Sequence, residues 1–381
     1  MGLRHALFFG MLEKGRVMVE LIKLPMTPKE RLAAYARGEE VDRIPTTLSA
    51  GETGCLELLG IPICDYYFSA DIMVEIESFL ADNTGADNLG MGLGLRTLAE
   101  ALGSKMAYPK ESVSYVDEPG IKSLDQVDSL DIVNVRTDGR FPIIVEAFKR
   151  LADKYKDVRK MGSGLAGPLT TATNLYGTER FLKATRKDPE GAHRLLRYTT
   201  ECVIACCRDL NEMLGIGFTL SEPIASKDLI SKKQFDVFFV PYLRECVERM
   251  SEFQGAVGIH ICGHTRDRWQ DIVDCGISDF WVDDCESLRD LKELHGNRIG
   301  ISGNVPPVDV LRNGTPGEIA ETVRDRIAQA ADNPRGFTLC PGCTTPAGTS
   351  LDNMITFMNA AATYGRGARK GVLPSGIVEV M

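Results

Sequence analysis

The stretch VGIHICGH, residues 257–264, concentrates the residue types that can do chemistry. His260 and Cys262 sit two apart at the end of an apolar run. On a strand, residues two apart share a face, so an imidazole and a thiol would project together. Both bind Zn2+, and a catalytic zinc typically takes three protein ligands and keeps one position open. A third ligand must come from elsewhere, and TLCPGCTTP, residues 338–346, offers Cys340 and Cys343. The competing reading is a buried histidine beside a core cysteine. C-x-x-C also describes a redox pair, but CPGC runs into Thr-Thr-Pro rather than opening a helix directly.

Further polar residues fall where predicted strands end. Glu222, His264, Asp283 and Asp284 are candidates for catalytic work, and Asn304 for holding a cofactor. Each has a plainer alternative. Asp283 and Asp284 precede ESLRDLKEL and suit a helix cap. His264 is either a partner that hydrogen-bonds a metal ligand or a loop residue, with the first favoured. Cys202, Cys206 and Cys207 lie on one predicted helix and read as core. His193 and His295 read as solvated helix-end residues.

These residues need strands to carry them. Eight short runs qualify: 44–49, 87–91, 159–164, 217–222, 256–262, 279–283, 298–302 and 337–341. Amphipathic helical stretches separate the later ones, including 233–253 and 315–331. Thr27-Pro28 with Glu30, and Thr315 with Glu318, are capping boxes that open helices. Eight β-then-α units predict a (β/α)8 TIM barrel, with an open doubly wound sheet as the alternative. MAYPKESVSYVDEPG, residues 106–120, alternates like a hairpin and marks an insertion after the second strand. Residues 1–25 read as an N-terminal appendage to one barrel domain spanning 26–381. A barrel collects active groups at the C-terminal ends of its strands, where the polar residues above are placed.

The chain has 381 residues, enough for a large core. Its net charge of −9 argues against nucleic acid as the main partner. No apolar run approaches the roughly 18 residues of a membrane helix, and no export signal is read. The 11 cysteines are an odd number in a long chain. That favours reduced thiols in cytoplasm over a disulfide framework.

Several stretches, in family order, resemble the uroporphyrinogen decarboxylase superfamily from about Met26 to about Tyr364. They include MTPKERLAAYARGEEVDRIP, ETGCLELLG, AGPLTTATNLYGTERFLKATRKDPE, HICGHT and LCPGCTTPAGTSLDNM. Within that superfamily the chain is similar to the zinc-dependent methyltransferases that work with corrinoid proteins, including methylcobamide:coenzyme M and O-demethylating enzymes. The resemblance implies a (β/α)8 barrel and a zinc motif that maps onto His260, Cys262 and Cys343, with Cys340 an extra. It implies methyl transfer between a small molecule and cobalt, with Glu222 as a substrate contact or a fourth ligand. The corrinoid would be carried by a separate partner protein, since the chain has no D-x-H-x-x-G pattern. Two departures matter. TLSAGETG, residues 47–54, lacks the arginine that the decarboxylases carry near the first strand, so tetrapyrrole decarboxylation is the weaker alternative. His264 stands where coenzyme M methyltransferases usually have Asn, which leaves the thiol substrate open. A non-catalytic binding barrel is the third reading.

Overall fold

Thr27 opens the first helix reciprocally. Its hydroxyl accepts the Glu30 amide at 3.2 Å, and the Glu30 carboxylate accepts the Thr27 amide at 2.8 Å. Pro28 follows at the first helical position of Pro28–Ala36, where its missing N–H costs nothing. The computed structural model describes residues 19–380 apart from 51–55, 57, 58 and 90. Residues 1–18 of the expected appendage lie outside the described residues. Val19 and Ile22 donate their amides to Asp352 and Asn359 of the helix Leu351–Tyr364, which ties this edge of the appendage to the barrel wall.

The predicted hairpin is present as β1 (Lys105–Ala107) against β2 (Tyr115–Glu118), antiparallel. The main sheet follows: β3 (Gly162–Ala166), β4 (Gly217–Ser221), β5 (Gly258–Ile261), β6 (Asp279–Val282), β7 (Gly300–Val305) and β8 (Phe337–Pro341). All pair in parallel, in sequence order. Outward residues such as Phe218, Leu220, Phe280, Val282, Ile301 and Leu339 are buried. Each such side chain stabilises the packing of helix on strand by roughly 1.5–3 kcal/mol.

Six strands do not close a ring, and two further segments complete it. Thr46 bridges Leu339 of β8 in parallel, with Thr47 N to Leu339 O and Leu339 N to Pro45 O both at 2.9 Å. Leu89 bridges Met161, and Gly94 bridges Leu165 of β3. The Asp87 amide donates to Thr46 O at 2.9 Å and joins the two segments. The architecture is a (β/α)8 barrel whose first two staves are held by isolated bridges rather than ladders.

Charge reinforces that seam. Asp87 is fully buried. It accepts Arg31 at 2.5 Å, Arg43 at 3.1 Å and the Thr46 amide at 2.8 Å. Burial pushes the Arg43 guanidinium down to about 10, against the attraction of Asp87.

Three expectations change. The helix expected over 233–253 is two helices, Lys232–Phe238 and Val240–Gln254, broken at Phe239. Pro241 offers no N–H to the preceding turn and so starts a new helix instead of continuing one. The third strand begins at Gly162 rather than 159, because the buried Arg159 turns aside to donate to Ala81 O at 2.6 Å. His295, read as solvated, is buried edge-on to Trp269, and His193 is half-buried and stacked on Phe238. Cys202, Cys206 and Cys207 are buried in the helix Pro189–Leu214. Among the described residues, no helix is long and apolar enough to cross a membrane.

Replacing Asp87 by Ala strips Arg31 and Arg43 of a buried counter-charge. We expect a loss of roughly 3–5 kcal/mol in urea unfolding. A loss below about 1 kcal/mol would show that the bridges alone hold the seam.

Candidate metal centre

His260 lies on β5 opposite Ser221 of β4 and Trp281 of β6. Cys262 follows the end of β5, and Cys343 follows β8. These strands are not neighbours, so their side chains can meet only on the barrel axis. They do meet. Cys262 Sγ is 3.1 Å from His260 Nε2 and 3.6 Å from Cys343 Sγ. The three donor atoms lie within 4.8 Å of one another. With Zn–S of about 2.3 Å and Zn–N of about 2.0 Å, a tetrahedral site places sulfurs about 3.8 Å apart and nitrogen about 3.5 Å from sulfur. The donor set therefore fits a zinc ion.

The imidazole is aimed for this. His260 Nδ1 sits 3.0 Å from Trp281 O. A carbonyl only accepts, so Nδ1 carries the proton and the Nε2 lone pair faces the thiols. The Trp281 ring stacks on His260 with centroids 4.0 Å apart. Its Nε1 donates to Pro341 O at 2.8 Å. One side chain of β6 thus holds the histidine of β5 and the strand that leads to Cys343. The hydrogen bond between the two thiols, aided by His260, draws Cys343 far below its ordinary value. The same hydrogen bond, and burial, push Cys262 up. A dication among the three donors would let both ionise.

The other sequence candidates are placed differently. Glu222 is fully buried and caps the helix Pro168–Tyr176. Its carboxylate accepts Leu169 N at 2.9 Å, Thr170 N at 2.8 Å and Thr170 Oγ1 at 2.6 Å. It is not among the clustered donors. Burial raises it to about 7, although those three donors favour its charge. His264 is exposed and pairs with Asp228 at 3.1 Å, not with a ligand. Asp283 accepts Gly263 N at 2.9 Å and Cys285 N at 3.2 Å. Burial opposes its charge, but these amides outweigh it and hold the carboxyl below its usual range. Asp283 therefore anchors the turn after Cys262. Gly263 takes φ 80° there, and a Cβ would collide with the Asp228 carboxylate.

Asn304 is buried and donates to Asp283 O at 2.9 Å and Glu286 O at 2.8 Å. It braces the loop after β6, and its Oδ1 has no partner among the described residues. Cys340 is buried and is not one of the three clustered donors, and burial raises its thiol well above the ordinary value. Sequence reasoning missed Trp281 and Asp279. Their two-residue spacing from Asp283 on β6 was the available signal.

A family model described as uroporphyrinogen decarboxylase (URO-D) matches residues 27–364. The chain is 26% identical over 339 residues to a methylated-thiol–coenzyme M methyltransferase of Methanosarcina mazei, covering 88% of this chain and 89% of that protein. It is 26% identical to the methylcobamide:CoM methyltransferase MtaA of Methanosarcina barkeri, covering 89% of this chain and 98% of the relative. A solved methyltransferase from Methanosarcina mazei superposes with a TM-score of 0.79 at 24% identity, over 88% of this chain and 98% of that one. At that identity the superposition speaks for the fold.

Two outcomes are expected. Metal analysis should find about one zinc per chain, the number a single three-ligand site holds, and a large loss in Cys343→Ser. Unchanged zinc in the variant would remove Cys343 from the site. For Glu222, the folded value lies above the unfolded one. Its stabilising contribution is full below about pH 4.5 and is lost as pH rises through about 7. Thermal melts of Glu222→Gln should therefore lack a decline that the parent shows over that window. Parallel curves would contradict this.

Proposed function

The chain belongs to the uroporphyrinogen decarboxylase (URO-D) family, and we propose that it is a zinc-dependent methyltransferase acting between a small molecule and the cobalt of a separate corrinoid protein. The observation that carries this reading is the meeting of His260 Nε2, Cys262 Sγ and Cys343 Sγ on the barrel axis, at the C-terminal mouth. The names of the relatives support methyl transfer linked to a methylcobamide.

His260, Cys262 and Cys343 would hold the zinc, which would supply Lewis acidity that lowers the pKa of a substrate thiol. The chain's own residues set the conditions. Two cysteinates and a neutral imidazole cancel the charge of the dication, so a bound substrate sulfur stays electron-rich. Trp281 O keeps the proton on Nδ1 and so prevents His260 from turning its lone pair away. Asp283 fixes the Gly263 amide and with it the direction of Cys262. The cluster lies at the end of the barrel that carries the strand-to-helix loops, where a second protein would have to dock. Cobalt carried by that protein must come within bonding reach of the substrate atom.

A zinc ion on the same donor set would equally polarise an ether oxygen of a methoxylated compound, with methyl transfer towards cobalt. Decarboxylation of a tetrapyrrole needs cationic side chains for several carboxylates. The turn after Cys262 is held by Asp228 and Asp283, and the arginine that the decarboxylases carry near the first strand is missing from residues 47–54.

The test uses zinc-loaded protein with methylcobalamin and a small thiol, followed through the visible spectrum of the cobalt–carbon bond. We expect zinc-dependent demethylation. His260→Ala should slow it about 100-fold or more, since weakening a metal ligand's support alone costs 10–100-fold. A rate equal to buffer with every thiol, and with methoxylated donors plus reduced cobalamin, would sink the reading.

A further inference from the structure

The interior of this barrel is not filled. A (β/α)8 core normally packs large branched side chains in layers. Here most inward positions are small or polar, and Trp281, packed between His260 and Pro341, is the large exception. On β4, Phe218 and Leu220 are buried outward, while Gly217, Thr219 and Ser221 on the other face are partly accessible. On β6, Phe280 and Val282 are buried, while Asp279 and Trp281 remain partly accessible. The Trp281 ring stacks on His260, so this face is the one that carries the metal cluster. A Cβ built on Gly217 would meet no atom within 4 Å, and one on Gly164 would meet nothing nearer than 3.8 Å. The inner faces of β4 and β6 beneath the cluster are thus lined by glycine and by partly accessible side chains, which we read as a lumen, narrowed beside Gly258 by Thr219.

Asp279 lies in that lumen. It pairs in register with Gly258, two residues before His260, which puts it about 6.6 Å below the histidine along the strand. Ser302 Oγ donates to its carboxylate at 2.8 Å. Among the described residues no arginine or lysine pairs with it. A carboxylate deep in protein with a single hydroxyl donor is costly unless something else compensates it. Gly300 lacks the side chain that would crowd it: a Cβ there would lie 2.8 Å from Asp279 Oδ1. The carboxylate is held clear, facing open space below the reactive position.

We propose that this lumen receives the far end of the methyl-accepting or methyl-donating molecule, and that Asp279, set by Ser302, selects a short substrate ending in a protonated amine or hydroxyl and rejects one ending in a sulfonate or other anion. The proposal rests on the methyl-transfer reading and names its substrate class. Asp279 lies only two strand positions below the level of His260, which favours a short substrate over a long one. An anionic end group would sit against a fixed negative charge in a confined, poorly screened space. A cationic end group would be the partner Asp279 lacks. The chain would accordingly differ in thiol preference from the relatives named for coenzyme M.

The experiment is a titration of the cobalt(II)-substituted full chain with four thiols: 2-aminoethanethiol, 2-mercaptoethanol, 2-mercaptoethanesulfonate and 1-propanethiol. Ligation is read from the cobalt absorption bands. In the parent, the aminothiol should bind at least tenfold more tightly than the sulfonate, with the alcohol between them. In Asp279→Asn that ratio should collapse to within about threefold, while propanethiol is unchanged. Equal or tighter binding of the sulfonate in the parent would overturn the proposal without any variant, so a poorly folded variant cannot shelter it. No spectral response to any thiol would overturn both this proposal and the zinc methyltransferase reading. Ordinary thiol binding without end-group preference would overturn the lumen proposal alone.

Discussion

Curvature of the sheet is the constraint on which the rest depends. β5 and β8 are separated by two strands. In a flat sheet their side chains would be about 14 Å apart, three spacings of roughly 4.8 Å. The sulfurs of Cys262 and Cys343 are 3.6 Å apart. Only a sheet that bends round on itself closes that distance. Its closure passes through the weakest staves, 44–48 and 87–94, where bridges replace ladders and a buried Asp87 is clasped by two arginines. A charge cluster thus helps to maintain the geometry of a thiol cluster elsewhere in the ring.

Around the three donors, polar residues divide their labour. Trp281 fixes the histidine and the end of β8. Asp283 fixes the turn after Cys262. Asn304 fixes the carbonyls of the loop that carries Asp283. Glu286 accepts the Thr265 and Arg266 amides across the next turn. The Asp283 and Glu286 carboxylates are matched to backbone N–H groups that would otherwise be orphaned in a crowded mouth. The mouth is rigid where the ligands are. Its open space lies below, where glycines replace bulk.

Much of the scaffold was legible from local rules. The capping boxes at Thr27 and Thr315, the hairpin over 106–120 and the six later strands follow from signals that neighbours in sequence supply. The shared face of His260 and Cys262 follows from strand periodicity alone. The break at Phe239 was readable from Pro241. The first two staves were placed correctly but lack ladders, because their pairing depends on side chains distant in sequence. His295 looked solvated beside charged neighbours, yet tertiary packing buries it against Trp269.

Sequence by itself determined which residue types stand at strand ends, and the alternation that points them inward. It also set the ligand chemistry available, since imidazole and thiolate need no context to favour zinc. What only the tertiary structure decided is which polar residues face one another. Glu222 and Asp283 were chemically eligible for catalysis, and the fold engages both with backbone amides. His264 was eligible to support a ligand, but it faces Asp228 at the surface. Asp279 had no motif to announce it, and it gains meaning from a glycine wall contributed by other strands. The physical reason is that periodicity fixes a side chain's direction within its own element. The partner it meets depends on how distant elements curve and close.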